Sequence, residues 1–501
     1  MGRNAQASAS LLALGLLIAA PVGAAAAAAL PGAAPLAPLT PVGPVRLSLE
    51  QVLEQGLPAS LRLQRADRAV ERDGAASQLQ RALLLPQLQL LGLASYTQVG
   101  TSVGVLTNLP TFGDLSLSLQ QNGYAVLRNS FGNAGVVLDV NLLPLRQLAE
   151  LSASRSREQA SLASRRESER QSRFELVSAY RELQLRQALV PVWQSALAAS
   201  RSIEADVVAI ERRGLAARID VLRARALRAA DEQGLAQMLA QLAAAREQLA
   251  TLLRWPAGSA PEAAEPIAPA AAWPLDLATT LERAQRERPL LQALQQQQRS
   301  LRAQARAARA ALYPSFSLLA GAGYSGDQLS VPVLRQGGSI DGPIPLALPN
   351  LEQSGGAAGS FYNWGVALLL RQPLYDGGRA GSAARVAERE DLLLQADEQL
   401  ARQQIRLDVT RAWSSLQAAP LAIAAAREAV AAGERSLRDA QLRYRAQVDP
   451  LTEVLLVQRD LQASRASLFG TITRQQLDRA LLERETGEAG DAAGVPAPQA
   501  P

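Results

Sequence analysis

The chain contains one long unit twice, and this internal repeat limits its fold more than any other feature. The matching pairs are Pro86 with Pro314, Tyr96 with Tyr324, Phe131 with Phe361, Tyr180 with Trp413 and Asp220 with Glu453. The separation of these pairs rises only from 228 to 233 residues along the unit. A register kept over such a length indicates a duplicated structural element.

Each unit changes its hydrophobic period in the same order. A helical pattern over about 47–85, repeated over about 275–313, is followed by period-two alternation, which is typical of half-buried strands. The predicted strands cover about 87–99, 131–143, 315–325 and 361–372. Runs rich in Gly, Asn, Ser and Pro, about 100–129 and 326–360, predict loops between them. Long helical hairpins follow, with tips near 214 and near 447–450.

These boundaries divide the sequence into six segments. They are a signal peptide (1–29), a Pro/Ala-rich leader (30–46), the first repeat (47–254), a linker (255–274), the second repeat (275–486) and a tail expected to be disordered (487–501). Arg3 followed by the apolar run 11–20 is typical of an export signal. This run is too short for a membrane-spanning helix, which needs about 20 apolar residues.

The composition excludes most chemistry. The chain has no His and no Cys, which removes thiol nucleophiles, imidazole bases and His/Cys metal sites. We therefore expect no enzyme, no catalytic residue, no cofactor and no metal site. The net charge of +5 comes from Arg interspersed with Asp and Glu, whereas a nucleic-acid-binding protein concentrates its basic residues on one face. Nucleic acid is therefore not an expected partner.

The lengths of the segments predict a hollow assembly. A helix from 144 to 214 is on the order of 100 Å long, so it must pack sideways as a coiled coil. Residues 152–173 are polar on every side, as expected for a helix with water both outside the protein and inside a lumen.

The four strands predict a shared membrane barrel. Four strands cannot close a barrel, whose minimum is about eight, and lipid tolerates no open sheet edge. We expect a mostly α-helical chain with a membrane β segment, in which three chains form a 12-stranded barrel and an α-helical tunnel. Aromatic residues of the strands predict a belt at the lipid surface. The belt consists of Tyr96, Phe131, Phe316, Tyr324, Phe361, Tyr362 and Trp364.

Several motifs resemble those of the outer-membrane efflux protein family, the TolC-like channel-tunnels. The motifs are Leu47-Ser48-Leu49-Glu50, Leu84-Leu85-Pro86, the run from Pro373 to Gly378 (PLYDGG), Gly214 to Leu222 and Tyr444 to Leu455. The resemblance covers nearly the whole chain after the signal peptide. It implies a homotrimeric channel in the outer membrane of a Gram-negative bacterium, with a large periplasmic part in contact with a periplasmic adaptor (membrane fusion) protein and an inner-membrane RND or ABC transporter.

The resemblance also implies roles for the tips. Glu453 falls at a constricting acidic ring, and Asp220 and Tyr444 fall on a hydrogen-bonding pair that holds the entrance shut. The implied adaptor-docking residues are Gly214, Leu215, Val221, Leu222, Gln447, Leu451, Val454 and Leu455. Three residues depart from the family's pattern: Gln447 replaces the usual tip Gly, Asp449 stands where a latch Arg can occur, and Leu456 replaces a second acidic position.

Alternatives remain open from the residues alone. Asp220 and Glu453 each begin a helix after a turn, where a carboxylate also stabilises the helix dipole. A pore-less periplasmic coiled-coil adaptor or scaffold would explain the helices but not the strands with their aromatic residues. The sequence does not separate drug, metal and protein export.

Overall fold

The computed structural model describes residues 43–112, 115–214, 216–256, 258–341 and 346–487. It contains two compact units, each built from both repeats. The sheet unit comprises Gln80–Ala149 and Ala307–Ser382, and the helical unit comprises the other described residues. The predicted signal peptide, most of the leader and residues 488–501 of the predicted tail lie outside the described part.

Both repeats contain the same succession of elements. The first consists of β1 (Pro44–Leu47), α1 (Leu49–Ala59), α2 (Leu61–Ala82), β2 (Gln87–Phe112), β3 (Leu115–Asn141), α3 (Leu145–Arg212) and α4 (Arg218–Leu253). The second consists of β4 (Ala260–Ala263), α5 (Leu277–Glu287), α6 (Pro289–Ala310), β5 (Ser315–Asp341), β6 (Leu346–Arg371), α7 (Arg379–Arg445) and α8 (Leu451–Thr486). The described helices include none with the length and hydropathy needed to cross a membrane.

The first helical segment of each repeat is interrupted, where the sequence predicted one continuous helix. Ser60 and Arg288, 228 positions apart, have extended backbone with ψ of 116° and 117°. Arg288 precedes Pro289, whose ring disfavours a helical conformation in the residue before it. The Ser60 hydroxyl accepts a hydrogen bond from the Leu63 N–H (3.4 Å), so the interruption also caps α2.

An aromatic side chain anchors each repeat in the helical unit. The Tyr180 hydroxyl donates to the Leu47 carbonyl (3.1 Å), and the Trp413 indole N–H donates to the Leu275 carbonyl (3.1 Å). Leu47 and Leu275 are themselves 228 positions apart. Tyr180 is completely buried, so its hydroxyl needs this partner. The repeat seen in the sequence therefore also appears in the hydrogen bonds of the two cores.

A short parallel ribbon joins segments that the sequence predicted to be irregular. β1 lies at the end of the predicted leader and β4 lies in the predicted linker, and they pair from Pro44↔Ala260 to Leu47↔Ala263. Each strand contains a Pro, and β4 (APEA) consists of weak strand formers, so pairing and packing beside Leu253 and Trp255 stabilise the ribbon more than side-chain propensity does.

The sheet is antiparallel, with the order β2-β3-β5-β6. Its strands begin or end at the predicted positions next to the helices, but each has 26 or 27 residues. The predicted loops over about 100–129 and 326–360 are therefore wrong for the described residues, because strand pairing continues through most of both. Each backbone N–H and C=O can bond to the neighbouring strand whatever its side chain, so poor strand formers also extend the hairpins.

Candidate functional site

Two helix-to-helix turns form the first candidate region. We name residues 213–217, between α3 and α4, the first tip, and residues 446–450, between α7 and α8, the second tip. Gly214 has φ +76° and its N–H donates to the Glu211 carbonyl (2.7 Å). Leu215 lies outside the described residues. The first tip thus uses glycine for the left-handed conformation that commonly ends a helix.

The second tip reaches the same conformation without glycine. Gln447 has φ +60°, and its N–H donates to the Tyr444 carbonyl (2.9 Å). The Val448 N–H donates to the Arg443 carbonyl (2.9 Å), which completes a Schellman motif. The Arg443 guanidinium also binds Asp449 through two atoms, with Nε–Oδ2 2.7 Å and Nη2–Oδ1 3.1 Å. The departure seen at Gln447 in the sequence is therefore a left-handed non-glycine residue.

The two helical hairpins share one apolar core beside the tips. Val221, Leu451 and Val454 are at most 2% exposed and pack together with Ile203 and Val207. These three residues were predicted to dock an adaptor, but in this chain their side chains hold the two hairpins together. A buried side chain cannot contact a partner, so their assignment to docking needs correction.

Some of the accessible residues at the tips do not belong to the predicted docking set. Gly214, Leu222 and Gln447 are exposed as the docking prediction requires, and Leu455 is half-buried. Val448 and Leu456 are also exposed, at 64% and 51%, and were not in the predicted set. The signal for Val448 was an apolar residue inside a turn, where burial is not expected.

The tip carboxylates differ in their partners. The Asp220 carboxylate lies 3.6 Å from Arg223 and is half-buried. Glu453 is exposed in the first turn of α8, and its carboxylate makes no ion pair or hydrogen bond with the described residues. Neither helix has a side-chain cap, since Ala217 and Pro450 occupy the N-cap positions. Glu453 therefore does not cap its helix by a hydrogen bond.

The predicted bond between Asp220 and Tyr444 is not formed within one chain. The Tyr444 hydroxyl is buried and has no hydrogen-bond partner among the described residues. Burial first, and then the charges of Asp220 and Asp206, raise the pKa of Tyr444. Asp206 itself pairs with Arg445 (2.9 Å), an ion pair between α3 and α7 that the sequence did not predict. Asp220 thus lies close enough to act electrostatically on Tyr444 without bonding to it.

The sheet is the second candidate region, and its register separates two faces. We name as the apolar face the side that carries Leu88, Leu90, Tyr96, Val136, Tyr324, Tyr362, Trp364, Val366, Leu368 and Leu370. These side chains are 41–88% exposed in one chain. The polar face carries Gln87, Gln89, Ser95, Thr97, Asn133, Asp139, Ser325, Asp327, Asn363 and Arg371, with a few apolar residues such as Leu91 and Leu93 between them.

The predicted aromatic belt divides between these faces. Tyr96, Tyr324, Tyr362 and Trp364 lie towards one end of the apolar face, and Phe316 lies at its other end. Tyr324 and Tyr362 pack edge to face, with ring centroids 5.4 Å apart. Phe131 and Phe361 lie on the polar face, opposite Ser95 and Ser325. They do not belong to the belt, because side chains an odd number of residues apart along a strand point to opposite faces.

Further residues of the sheet unit were missed or were only partly understood. Tyr313 and Tyr375 are exposed at 52% and 86% just outside the strands, near the end marked by Phe316. In the Pro373–Gly378 motif, the Asp376 carboxylate accepts hydrogen bonds from the N–H groups of Gly378 (2.9 Å) and Ala380 (2.7 Å). These bonds hold the pKa of Asp376 below its ordinary value and fix the start of α7.

Comparison with known proteins finds one matching family model and a shared fold. The model of the outer membrane efflux protein family matches residues 280–488, almost the whole second repeat. No curated protein matches the chain by sequence. Three solved structures share its fold over 88% of its length: the outer membrane protein VceC of Vibrio cholerae (TM-score 0.66, 19% identity, 96% of that chain), the CmeC outer membrane channel of Campylobacter jejuni (0.67, 14%, 85%) and the open state of the MtrE outer membrane channel of Neisseria gonorrhoeae (0.63, 18%, 88%).

Proposed function

We propose that this chain is the outer-membrane channel of a tripartite export system. The match of the outer membrane efflux protein family model to residues 280–488 and the TolC-like channel-tunnel fold support this proposal. Three copies form the channel, and solutes leave through it passively. A periplasmic adaptor and an inner-membrane RND or ABC transporter deliver them. The function needs no cofactor and no catalytic residue.

The two free edges of the sheet are the main support for the trimer. β2 pairs only with β3, and β6 pairs only with β5, so each keeps one row of backbone groups without a partner among the described strands. Such a row costs several kcal/mol per group in hydrocarbon. Pairing β6 of one protomer with β2 of the next satisfies both edges, and three protomers close a ring of twelve strands.

The dimensions of the apolar face support insertion in a membrane. It runs nine residues along each strand, from Leu88 to Tyr96 on β2 and from Tyr362 to Leu370 on β6. Nine residues span about 27 Å along a strand, or about 20 Å of membrane at a tilt of about 40°. This is close to the apolar band of about 25 Å in outer-membrane barrels, and tyrosines mark both of its ends.

Adjacent residues of β6 provide a matched test. Val366 lies at the middle of the apolar face, and Ala367 lies on the polar face. We expect Val366→Arg to reduce the yield of detergent-stable trimer strongly, since Arg at the bilayer midplane costs about 2–4 kcal/mol. Ala367→Arg should assemble normally. Light scattering in mild detergent and ion conductance in planar bilayers measure both variants. A wild-type protein that is a stable monomer without conductance would instead favour the pore-less scaffold.

At the tips we propose that Glu453 lines the periplasmic entrance. Its exposed carboxylate has no partner within the described chain, which leaves it available for a ring of three around the trimer axis. Three carboxylates in such a ring attract cations. Glu453→Gln should therefore lower cation-over-anion selectivity in single-channel recordings. Asp220→Asn is the control, and it should have a smaller effect because Arg223 already balances that charge. Unchanged selectivity in Glu453→Gln would assign Glu453 to the helix end alone.

The exposed tip residues are the adaptor-docking surface in this proposal. They combine the predicted residues that are described and exposed, Gly214, Leu222 and Gln447, with the apolar Val448. Leu455 is half-buried and stands at the edge of this surface.

A further inference from the structure

Two phenylalanines that do not face the lipid lie beside a carboxylate on the polar face. Phe131 on β3 is directly opposite Asp327 on β5. Phe361 on β6 is opposite Ser325 and therefore diagonal to Asp327. Directly opposed side chains have Cβ atoms about 5 Å apart, and diagonal ones about 7 Å apart, within reach of aromatic rings. The register thus brings two rings to the two sides of one carboxylate.

A hydrogen-bonded group of side chains lies next to these residues on the same face of the sheet. The side-chain amides of Asn133 and Asn363 both donate to the Ser325 hydroxyl, at 2.6 Å and 2.9 Å. Ser325 is only 1% exposed although it lies on an open face. Its same-face neighbours in the register are Asn133, Asn363 and the two phenylalanines, so these side chains cover it. A buried and hydrogen-bonded Ser325 restricts the positions of the side chains that pack against it.

The Asp327 carboxylate, next to this group, remains available to bind a ligand. Asp327 is exposed and makes no ion pair or hydrogen bond with the described residues. Its neighbour on β6 is Gly359, where an added Cβ would meet no atom within 4 Å. There is therefore open space on the β6 side of the carboxylate, next to Phe361.

We propose that Phe131, Asp327 and Phe361 form a binding site for aromatic organic cations on the inner wall of the barrel. A cation is attracted to the faces of aromatic rings and to the carboxylate at once, and its aromatic part stacks on the rings. This site depends on the channel proposed above, because only a closed barrel turns the polar face towards a lumen. Three protomers then carry three such sites at one level, where solutes on their way out bind transiently.

Single-channel recordings with the full-length protein test the site. Benzyltrimethylammonium is the probe, and benzenesulfonate, of similar size and opposite charge, is the control. We expect the cation to reduce the current reversibly and the anion to have no effect at the same concentration. Asp327→Asn should raise the half-blocking concentration about fivefold or more, and Phe131→Leu or Phe361→Leu about threefold each, as expected for weak cation–π contacts.

Two further variants separate this site from other effects. Phe316→Leu removes a phenyl ring from the apolar face and should leave the block unchanged. Asp139→Asn removes a different carboxylate of the polar face and should also leave the block unchanged. Block that disappears with Glu453→Gln but survives Asp327→Asn would overturn the site and leave the channel intact.

A second measurement does not require an open channel. Saturation-transfer NMR detects contact between the benzyl protons of the probe and the protein in detergent. The transfer should be strong with the wild type and weak with Asp327→Asn. A wild type without conductance would contradict the channel, and equal transfer in both proteins would contradict the site, so the two failures are distinguishable.

Discussion

The first and second tips each begin with a left-handed residue after a helix, but their side chains differ. At a separation of 233 residues, Gly214 corresponds to Gln447, Ala216 to Asp449 and Glu211 to Tyr444. The first tip adopts its left-handed residue without strain because glycine has no Cβ. The second tip compensates for a left-handed glutamine with the Schellman bonds and with the Arg443–Asp449 pair. A turn can therefore be kept without its most favourable residue, provided that neighbouring contacts hold it.

The apolar core is common to both tips in spite of their different side chains. Substitutions in this core should have the largest effect on stability. Val221 and Val454 correspond in the repeat and are 0% and 1% exposed. Each Val→Ala change should destabilise both tips by about 2 kcal/mol, since the cavity lies in one common core. The loss of stability in the double variant should differ from the sum of the two single losses, because the effects of residues in contact are not additive. Hydrogen–deuterium exchange of tip peptides measures the opening free energy.

Leu222 provides the control for this experiment. It follows Val221 directly and is 50% exposed. Leu222→Ala should change the exchange of the tip peptides by less than about 0.5 kcal/mol. If Val221→Ala affected the first tip alone, the two hairpins would open independently, and the comparison of two tips on one core would fail.

Exchanging the left-handed residues tests the comparison directly. Gln447→Gly should stabilise the second tip by up to about 1 kcal/mol, because a left-handed conformation is costly for a residue with a Cβ. Gly214→Gln should destabilise the first tip by about 1 kcal/mol or more, since Ala216 offers no side chain to pair as Asp449 does. Exchange rates of peptides from each tip read out both changes. Equal and small effects in both would mean that the backbone hydrogen bonds of each turn alone determine the conformation.

The sequence predicts the parts of this fold that depend on one strand or one helix at a time. The repeat, the ends of the strands next to the helices and the positions of both tips follow from periodicity and turn residues. The far ends of the strands do not, because pairing between neighbours supplies their hydrogen bonds. Contacts between the hairpins, which bury Val221 and Val454, depend on tertiary packing that no single helix reveals.

The faces on which Phe131 and Phe361 lie follow from the sequence. Phe131 and Phe361 are an odd number of residues from Val136 and Val366, so alternation alone places them on the other face. By contrast, nothing in the sequence indicates that the Tyr444 hydroxyl is buried without a partner. That state results from the packing of α7 beside α3.

Tyr444→Phe should have the smallest effect, and its size depends on pH. At pH 8 we expect equal or slightly higher thermal stability, by up to about 1 kcal/mol, because a buried hydroxyl without a partner is lost. Tyr444 has a raised pKa, so its neutral form is favoured in the folded tip. The stability of the wild type is therefore complete below the unfolded value of about 10 and decreases as the pH rises above it. Phenylalanine has no proton to lose, so between pH 8 and pH 10.5 the Tm of the variant should fall less than that of the wild type. A Tm that is lower already at pH 8 would show that Tyr444 finds a hydrogen-bond partner in the assembled trimer, and the two tips would then differ in how they close the channel as well as in how they turn.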